Sequence, residues 1–126
     1  MGLLLLLLAC GGAPEARFSP CPSSPNCVSS RIDTGATAFI EPIQTPLDWA
    51  TIQDRLAAQP GFDGVETLDG TYLHARFVTP TVGFVDDVEL DFVDGTVHLR
   101  SASRLGYSDR GVNRARMDAF REALRE

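Results

Sequence analysis

Polar and apolar positions change their rhythm several times along the chain. Residues 3 to 8 are an unbroken leucine run, and residues 11 to 20 then show no periodicity at all. Thr45-Pro46-Leu47-Asp48 has the marks of a helix start: a hydroxyl cap, proline at the first helical position and an acid three residues after the cap. Trp49, Ile52 and Leu56 follow at helical spacing as an apolar, core-facing stripe, and Pro60-Gly61 closes the run.

From Val65 the period falls to two. Asp69-Gly70 and Asp94-Gly95 each separate strand-like runs, the sequence signal of a tight hairpin. A two-residue turn at Asp94-Gly95 sets Val93 against Thr96, Phe92 against Val97, Leu90 against Leu99, Val88 against Ser101 and Asp86 against Ser103. The opposite face pairs Asp91 with His98 and Glu89 with Arg100, unlike charges across the ladder. Strands over 65–68 and 72–79 complete a meander with one apolar and one wet side. A last helix, capped by Ser108 or Asp109, runs through Leu124. Its apolar arc contains Val112, Ala115, Ala119, Phe120, Ala123 and Leu124, with Asn113 and Arg116 inside it and Arg114, Asp118, Arg121 and Arg125 toward solvent. The expected fold is α+β, a single domain in which a small antiparallel β-meander is packed on one side by helices.

Composition narrows the function classes. At 126 residues and 44% hydrophobic content the chain has room for one modest core, which excludes a multidomain enzyme. The net charge of -6 makes nucleic acid an unlikely target, so none is expected as a partner. Every basic side chain is arginine, and with no lysine present Schiff-base chemistry by a side chain is excluded.

The leucine run is too short to span a membrane, which takes about 20 apolar residues. Followed by Ala9 and Cys10, it reads as an export signal over residues 1–9, and Leu7-Leu8-Ala9-Cys10 resembles the bacterial lipoprotein box. Cys10 would carry the lipid, residues 10–20 would form a tether, and residues 21–126 the domain. The residue after Cys10 is not aspartate, which resembles outer-membrane sorting, with the domain facing the periplasm. No basic residue precedes the leucines, a departure from that pattern. Cys21 and Cys27 remain, an even pair at short separation, and a disulfide closing so small a loop contributes about 2 kcal/mol. A zinc site is disfavoured by the spacing and by having only His74 and His98 as further soft ligands. No metal or other cofactor is expected.

Residues 100–126 hold seven arginines against four acids, net +3, while residues 41–94 hold eleven acids against two arginines, net -9. The buried hairpin face turns polar at one end, where Asp86, Ser101 and Ser103 meet Asn113 and Arg116 of the last helix. Arg100, Ser101, Ser103, Arg104, Ser108, Asn113 and Arg116 suit an anion such as a phosphate, a carboxylate or a lipid head group. Against this stands a structural reading, in which Arg116 and Asp86 form a buried pair whose neighbours satisfy leftover hydrogen bonds. That reading has slightly the greater weight.

Ser24-Pro25-Asn26-Cys27-Val28-Ser29-Ser30, Asp86-Asp87-Val88-Glu89 and the stretch from Arg100 to Arg116 are similar to the domain-of-unknown-function 1499 family over most of the chain. The resemblance implies a small exported or membrane-associated domain, with no reaction attached to it. A hydrolase would need Ser101 or Ser103 beside a base, yet His98 projects from the opposite face and no Gly-x-Ser-x-Gly elbow is present. Asp86 and Asp87 point to opposite faces and cannot converge as a carboxylate pair. Calcium at Asp87, Glu89 and Asp91 is outweighed by a solvated charged face. The leading expectation is a non-catalytic binding module of the cell envelope for an anionic small molecule or an envelope protein. A structural or partner-docking domain comes next and a small hydrolase last.

Overall fold

The computed structural model describes residues 18–125. The expected signal segment and the lipidation site at Cys10 lie outside the described residues. Six strands form one antiparallel sheet: β1 (Cys27–Ser29), β2 (Ile43–Gln44), β3 (Phe62–Asp69), β4 (Tyr72–Val78), β5 (Val85–Val93) and β6 (Thr96–Ser103). The order across it is β1-β6-β5-β4-β3, and β2 continues along the β6 edge beyond β1. Among the described residues two helices, α1 (Trp49–Ala57) and α2 (Val112–Ala123), pack on one face. The α+β meander expected from the sequence is the fold.

The β5–β6 hairpin has the expected register from Val93 opposite Thr96 to Asp86 opposite Ser103. Asp94 and Gly95 have φ of 48° and 78°, the two successive left-handed residues that a tight hairpin turn requires. The other Asp-Gly pair works one residue later. β3 runs through Asp69, which pairs with Tyr72, so Gly70 and Thr71 make the turn. β3 also starts earlier than the alternation suggests, at Phe62, and two register shifts bend it. This outer edge carries Asp63, Glu66 and Asp69, charges that discourage another strand from pairing there. The opposite edge of the meander, β6, is covered by β1 and β2, which only long-range pairing turns into strands.

Helix α1 is capped three residues later than expected. Thr45 Oγ1 accepts from the Leu47 N–H at 3.1 Å and makes a local turn, whereas Asp48 caps the helix through the Thr51 N–H at 2.8 Å. Ile52 and Leu56 are fully buried. Trp49 stacks on Phe92 with ring centroids 5.7 Å apart, and its indole N–H donates to the Gly70 carbonyl. Helix α2 is rotated by about a quarter turn from its expected facing. Asn113, Met117, Phe120 and Leu124 are buried, while Val112, Ala115 and Ala119 are exposed. Alanine buries little area, so the large side chains of Met117, Phe120 and Leu124 decide which side faces the sheet.

The rotation gives Arg114 and Arg121 a different role from the expected one in solvent. Arg114 donates to the Thr37 and Phe39 carbonyls, and Arg121 to those of Glu41 and Pro42. These guanidiniums hold an irregular segment against the helix. The second sheet face also departs from a wet surface. Phe18 lies under the Arg31 guanidinium, and Arg100 donates to the Pro20 carbonyl, so Phe18 and Pro20, inside the span expected to be tether, pack against the domain. Under this cover Glu89, Asp91 and Arg100 are only 5%, 3% and 8% exposed. Cys21 and Cys27 form a disulfide with Cα atoms 5.6 Å apart.

Candidate functional site

On the helix-covered face, β5 contributes Asp86, β6 contributes Ser101 and Ser103, and α2 contributes Asn113 and Arg116 to one hydrogen-bonded network. Arg116 donates through Nη2 to Asp86 Oδ2 at 2.7 Å, and through Nη1 to Ser101 Oγ and Asn113 Oδ1. Ser101 donates to Asn113 Oδ1 at 2.6 Å. The Asn113 amide donates to Asp109 Oδ2, Ser103 Oγ and the Asn26 carbonyl. Asn113 is fully buried, and both ends of its amide are engaged. The Arg116 guanidinium also lies over the Phe77 ring, 5.0 Å from its centroid.

Two residues outside the expected cluster tie it down. Asp109 accepts from the Gly111 and Asn113 N–H groups and from the Asn113 side chain, which anchors the start of α2. Burial by itself would raise its pKa, yet these donors outweigh burial and hold the carboxyl below its usual range. Asn26 donates to the Gly106 carbonyl at 2.8 Å, and its own carbonyl accepts from Ser103 N–H, linking the disulfide loop to the segment after β6. Both stand in the recognisable strings of the sequence, but nothing in their spacing announced these contacts.

The remaining expected site residues are elsewhere. Arg100 and Arg104 project from the opposite face of β6, and each is committed to carboxylates. Arg100 meets Glu89, which also accepts from the Tyr72 hydroxyl at 2.7 Å. Arg104 donates to both oxygens of Asp87 and to Glu66, a pairing that raises the arginine pKa, Asp87 first among its causes. Burial works to raise the Asp87 pKa, but the hydrogen bonds from Arg104 and His74 lower it on balance. Glu66 is lowered chiefly by Arg76. Asp91 accepts from Arg31 and Thr71. The three acids of the calcium reading, Asp87, Glu89 and Asp91, are therefore each held by an arginine. No group of three metal-ligating side chains suited to an ion occurs among the described residues.

His74 and His98 both belong to this outer face, separated by the sheet from Ser101 and Ser103. His74 meets Asp87 at 2.7 Å, and His98 meets Ser30 at 3.4 Å. The Ser30 hydroxyl oxygen also accepts from Leu99 N–H, which makes it a strut between the 30–42 segment and β6. No described helix is long and apolar enough to cross a membrane.

Open space gathers at one end of the sheet. A cavity of about 490 Å³ lies between the β4–β5 connection, 79–84, and the segment from Ser103 to Val112. Asp86 borders it. That residue is 1% exposed, and with Oδ2 held by Arg116 its Oδ1 has no hydrogen-bond partner among the described residues. Ser103 also borders the cavity, and its hydroxyl accepts from Asn113 while keeping a proton to donate. Ser108 sits on the rim with Arg110 and accepts from the Arg110 N–H. Val82, Phe84, Leu105 and Val112 stand around the mouth, all exposed. A second cavity, of about 630 Å³, lies across the 107–109 segment, walled by the disulfide loop, residues 36–38 and Arg114. Tyr107 is exposed at its edge.

Apart from Val112 at the start of α2, these apolar side chains lie in turns and loops and so carry no periodic signal. A usable sign was their position: Val82 and Phe84 flank Gly83, and Leu105 and Tyr107 flank Gly106, large apolar groups carried on loop glycines. No curated protein and no solved structure matches the chain. The family model described as a protein of unknown function, DUF1499, matches residues 17–124. That span takes in every strand, both helices and the whole polar network, and the chain belongs to the DUF1499 family.

Proposed function

We propose that this domain is a non-catalytic binding module of the bacterial cell envelope, held at the outer membrane through a lipid on Cys10 and facing the periplasm. Binding takes place at the end formed by residues 79–84 and 103–112. One observation carries this reading: large apolar side chains of two separate loops are exposed together around a cavity that reaches a buried, half-satisfied carboxylate. A monomer rarely leaves such a patch open without a use for it.

The anionic ligand expected from the arginines changes its anchor. Arg100, Arg104 and Arg116 are held by Glu89, Asp87 and Asp86, and these pairs support a structural role for them. Arg110 is different, since among the described residues no carboxylate pairs with it, and it lines the cavity. It is the guanidinium available for an anion. An envelope protein as the partner is the second reading, favoured by the spread of the apolar surface to Tyr107 beyond the cavity mouth.

Intact-mass spectrometry of the full chain purified from its native membranes tests both the anchor and the binding. The expected result is acylated Cys10 and a co-purifying species that is lost from the Leu105→Glu variant. An unacylated chain overturns the anchor. A species retained equally by Leu105→Glu overturns the placement of the binding end.

A further inference from the structure

We infer that the cavity between 79–84 and 103–112 receives the head group of a zwitterionic phospholipid bearing a primary amine. The ammonium meets Asp86 Oδ1, the phosphate meets Arg110, and Val82, Phe84 and Leu105 enter the bilayer interface around the mouth. This rests on the reading of that end as the binding end, and it adds the chemistry of the occupant.

Three observations point the same way. The first is the state of Asp86. One of its oxygens is paired with Arg116 and the other has no partner among the described residues; at 1% exposure it is closed off at rest, so an occupant reaches it only as the loop side chains over it give way. An unpaired buried acceptor is costly, and a donor supplied by an occupant removes that cost. Ser103 beside it offers a hydroxyl proton and so admits a group that both donates and accepts.

The second is the charge of the lining. Asp86 and Asp109 border the cavity against Arg110 alone, so a purely anionic head group meets two carboxylates and one guanidinium. Asp109 is kept ionised by its three donors. A head group with an inner ammonium and an outer phosphate matches this order, because Asp86 is buried and Arg110 is exposed. The third is the mouth itself. Leu105 at 76% exposure and Val82 at 66% are left uncovered by the described residues, and Tyr107, also exposed, suits an interface that is apolar on one side and wet on the other. The cavity volume of about 490 Å³ lies within the usual range for sites that take small molecules.

Changing the lipid, with the protein left intact, tests the inference without disturbing the fold. The full chain carrying Cys10→Ser, so that no anchor contributes, is sedimented with vesicles of phosphatidylcholine. It is also sedimented with the same vesicles after half the lipid is replaced by phosphatidylethanolamine or by phosphatidylglycerol. The trimethylated ammonium of phosphatidylcholine has no N–H to give Asp86. Binding to phosphatidylethanolamine vesicles is expected to be about tenfold tighter, the worth of one charge-assisted hydrogen bond. Phe84→Glu and Leu105→Glu, both at exposed positions, are expected to abolish it with melting unchanged.

Equal binding to phosphatidylcholine and phosphatidylethanolamine overturns the ammonium assignment. Binding that appears only with phosphatidylglycerol overturns it in favour of arginine-driven attraction to negative charge. Absence of vesicle binding, together with chemical-shift changes at Ser103 and Arg110 on adding free phosphoethanolamine, overturns the bilayer as the source and keeps the head-group chemistry. Vesicle binding that survives both glutamate substitutions overturns the binding end itself, a failure distinct from the others.

Discussion

Asp86 and Asp87 are consecutive residues of β5, and the strand sends them to opposite faces of the sheet, where each meets an arginine. Arg116 reaches Asp86 under α2, with side-chain exposures of 9% and 1%, and the pair is embedded in Ser101 and Asn113. Arg104 reaches Asp87 on the outer face at a similar distance, 2.8 Å, but it is an exposed side chain and shares itself with Glu66. Distance therefore says little about what either pair does. The inner pair is almost wholly buried and depends on its protein partners, whereas water can replace either partner of the outer one.

The largest expected effect breaks the inner pair. Arg116→Ala leaves the Asp86 carboxylate buried without a counter-charge, and a loss of about 3–5 kcal/mol is expected in urea unfolding. A loss below about 1 kcal/mol would show that Asp86 finds water or another donor, and would return Arg116 to the list of ligand contacts. Asn113→Ala comes next. It leaves Ser101, Ser103 and the Asn26 carbonyl each short of a partner, with an expected cost of about 1–3 kcal/mol by the same measurement.

Acid sharpens the contrast from the other side. Asp87 and Asp109 have native pKa values below their ordinary 3.8. A carboxylate lowered by folding stabilises the native state above its unfolded pKa, and that stability disappears as the pH falls through the native value. Melting temperature is thus expected to be flat from neutral pH to about 5 and to fall below that. A melting temperature that rises on acidification would contradict the assignment of both groups. The smallest effect belongs to Arg104→Gln. Melting at neutral pH should fall only slightly, by the small worth of an exposed pair, and the acid-induced decline becomes shallower by that same amount because Asp87 has lost the stronger of its two donors. A loss as large as that of Arg116→Ala would mean that the two faces do not differ in the way described.

Local signals were readable where neighbours in sequence are also neighbours in space. Asp94-Gly95 fixed the β5–β6 register residue by residue, and with it the meeting of Asp86, Ser101 and Ser103 at one end of the inner face. The same logic misplaced the start of α1, because Thr45 and Asp48 offer similar capping chemistry and only the backbone decides between them. It also misjudged α2, where an arc counted in alanines gave way to Met117, Phe120 and Leu124. The outer face was beyond reach for a different reason. Glu89, Asp91 and Arg100 look like solvated strand charges until residues 18–31 cross over them, and that crossing depends on partners far apart in sequence, 60 residues for Arg31 with Asp91 and 80 for Pro20 with Arg100. The cavity was missed because its walls are loops, which carry no period.

Arg114 and Arg121 grip the irregular segment before β2 by its main-chain carbonyls, at Thr37, Phe39, Glu41 and Pro42. Every residue type offers that same oxygen. Those four positions are therefore free to drift in evolution without loosening these bonds to the helix, while Ile40 between them stays packed in the core. Among relatives, the side chains at 37, 39, 41 and 42 can diverge while the path of the backbone is kept.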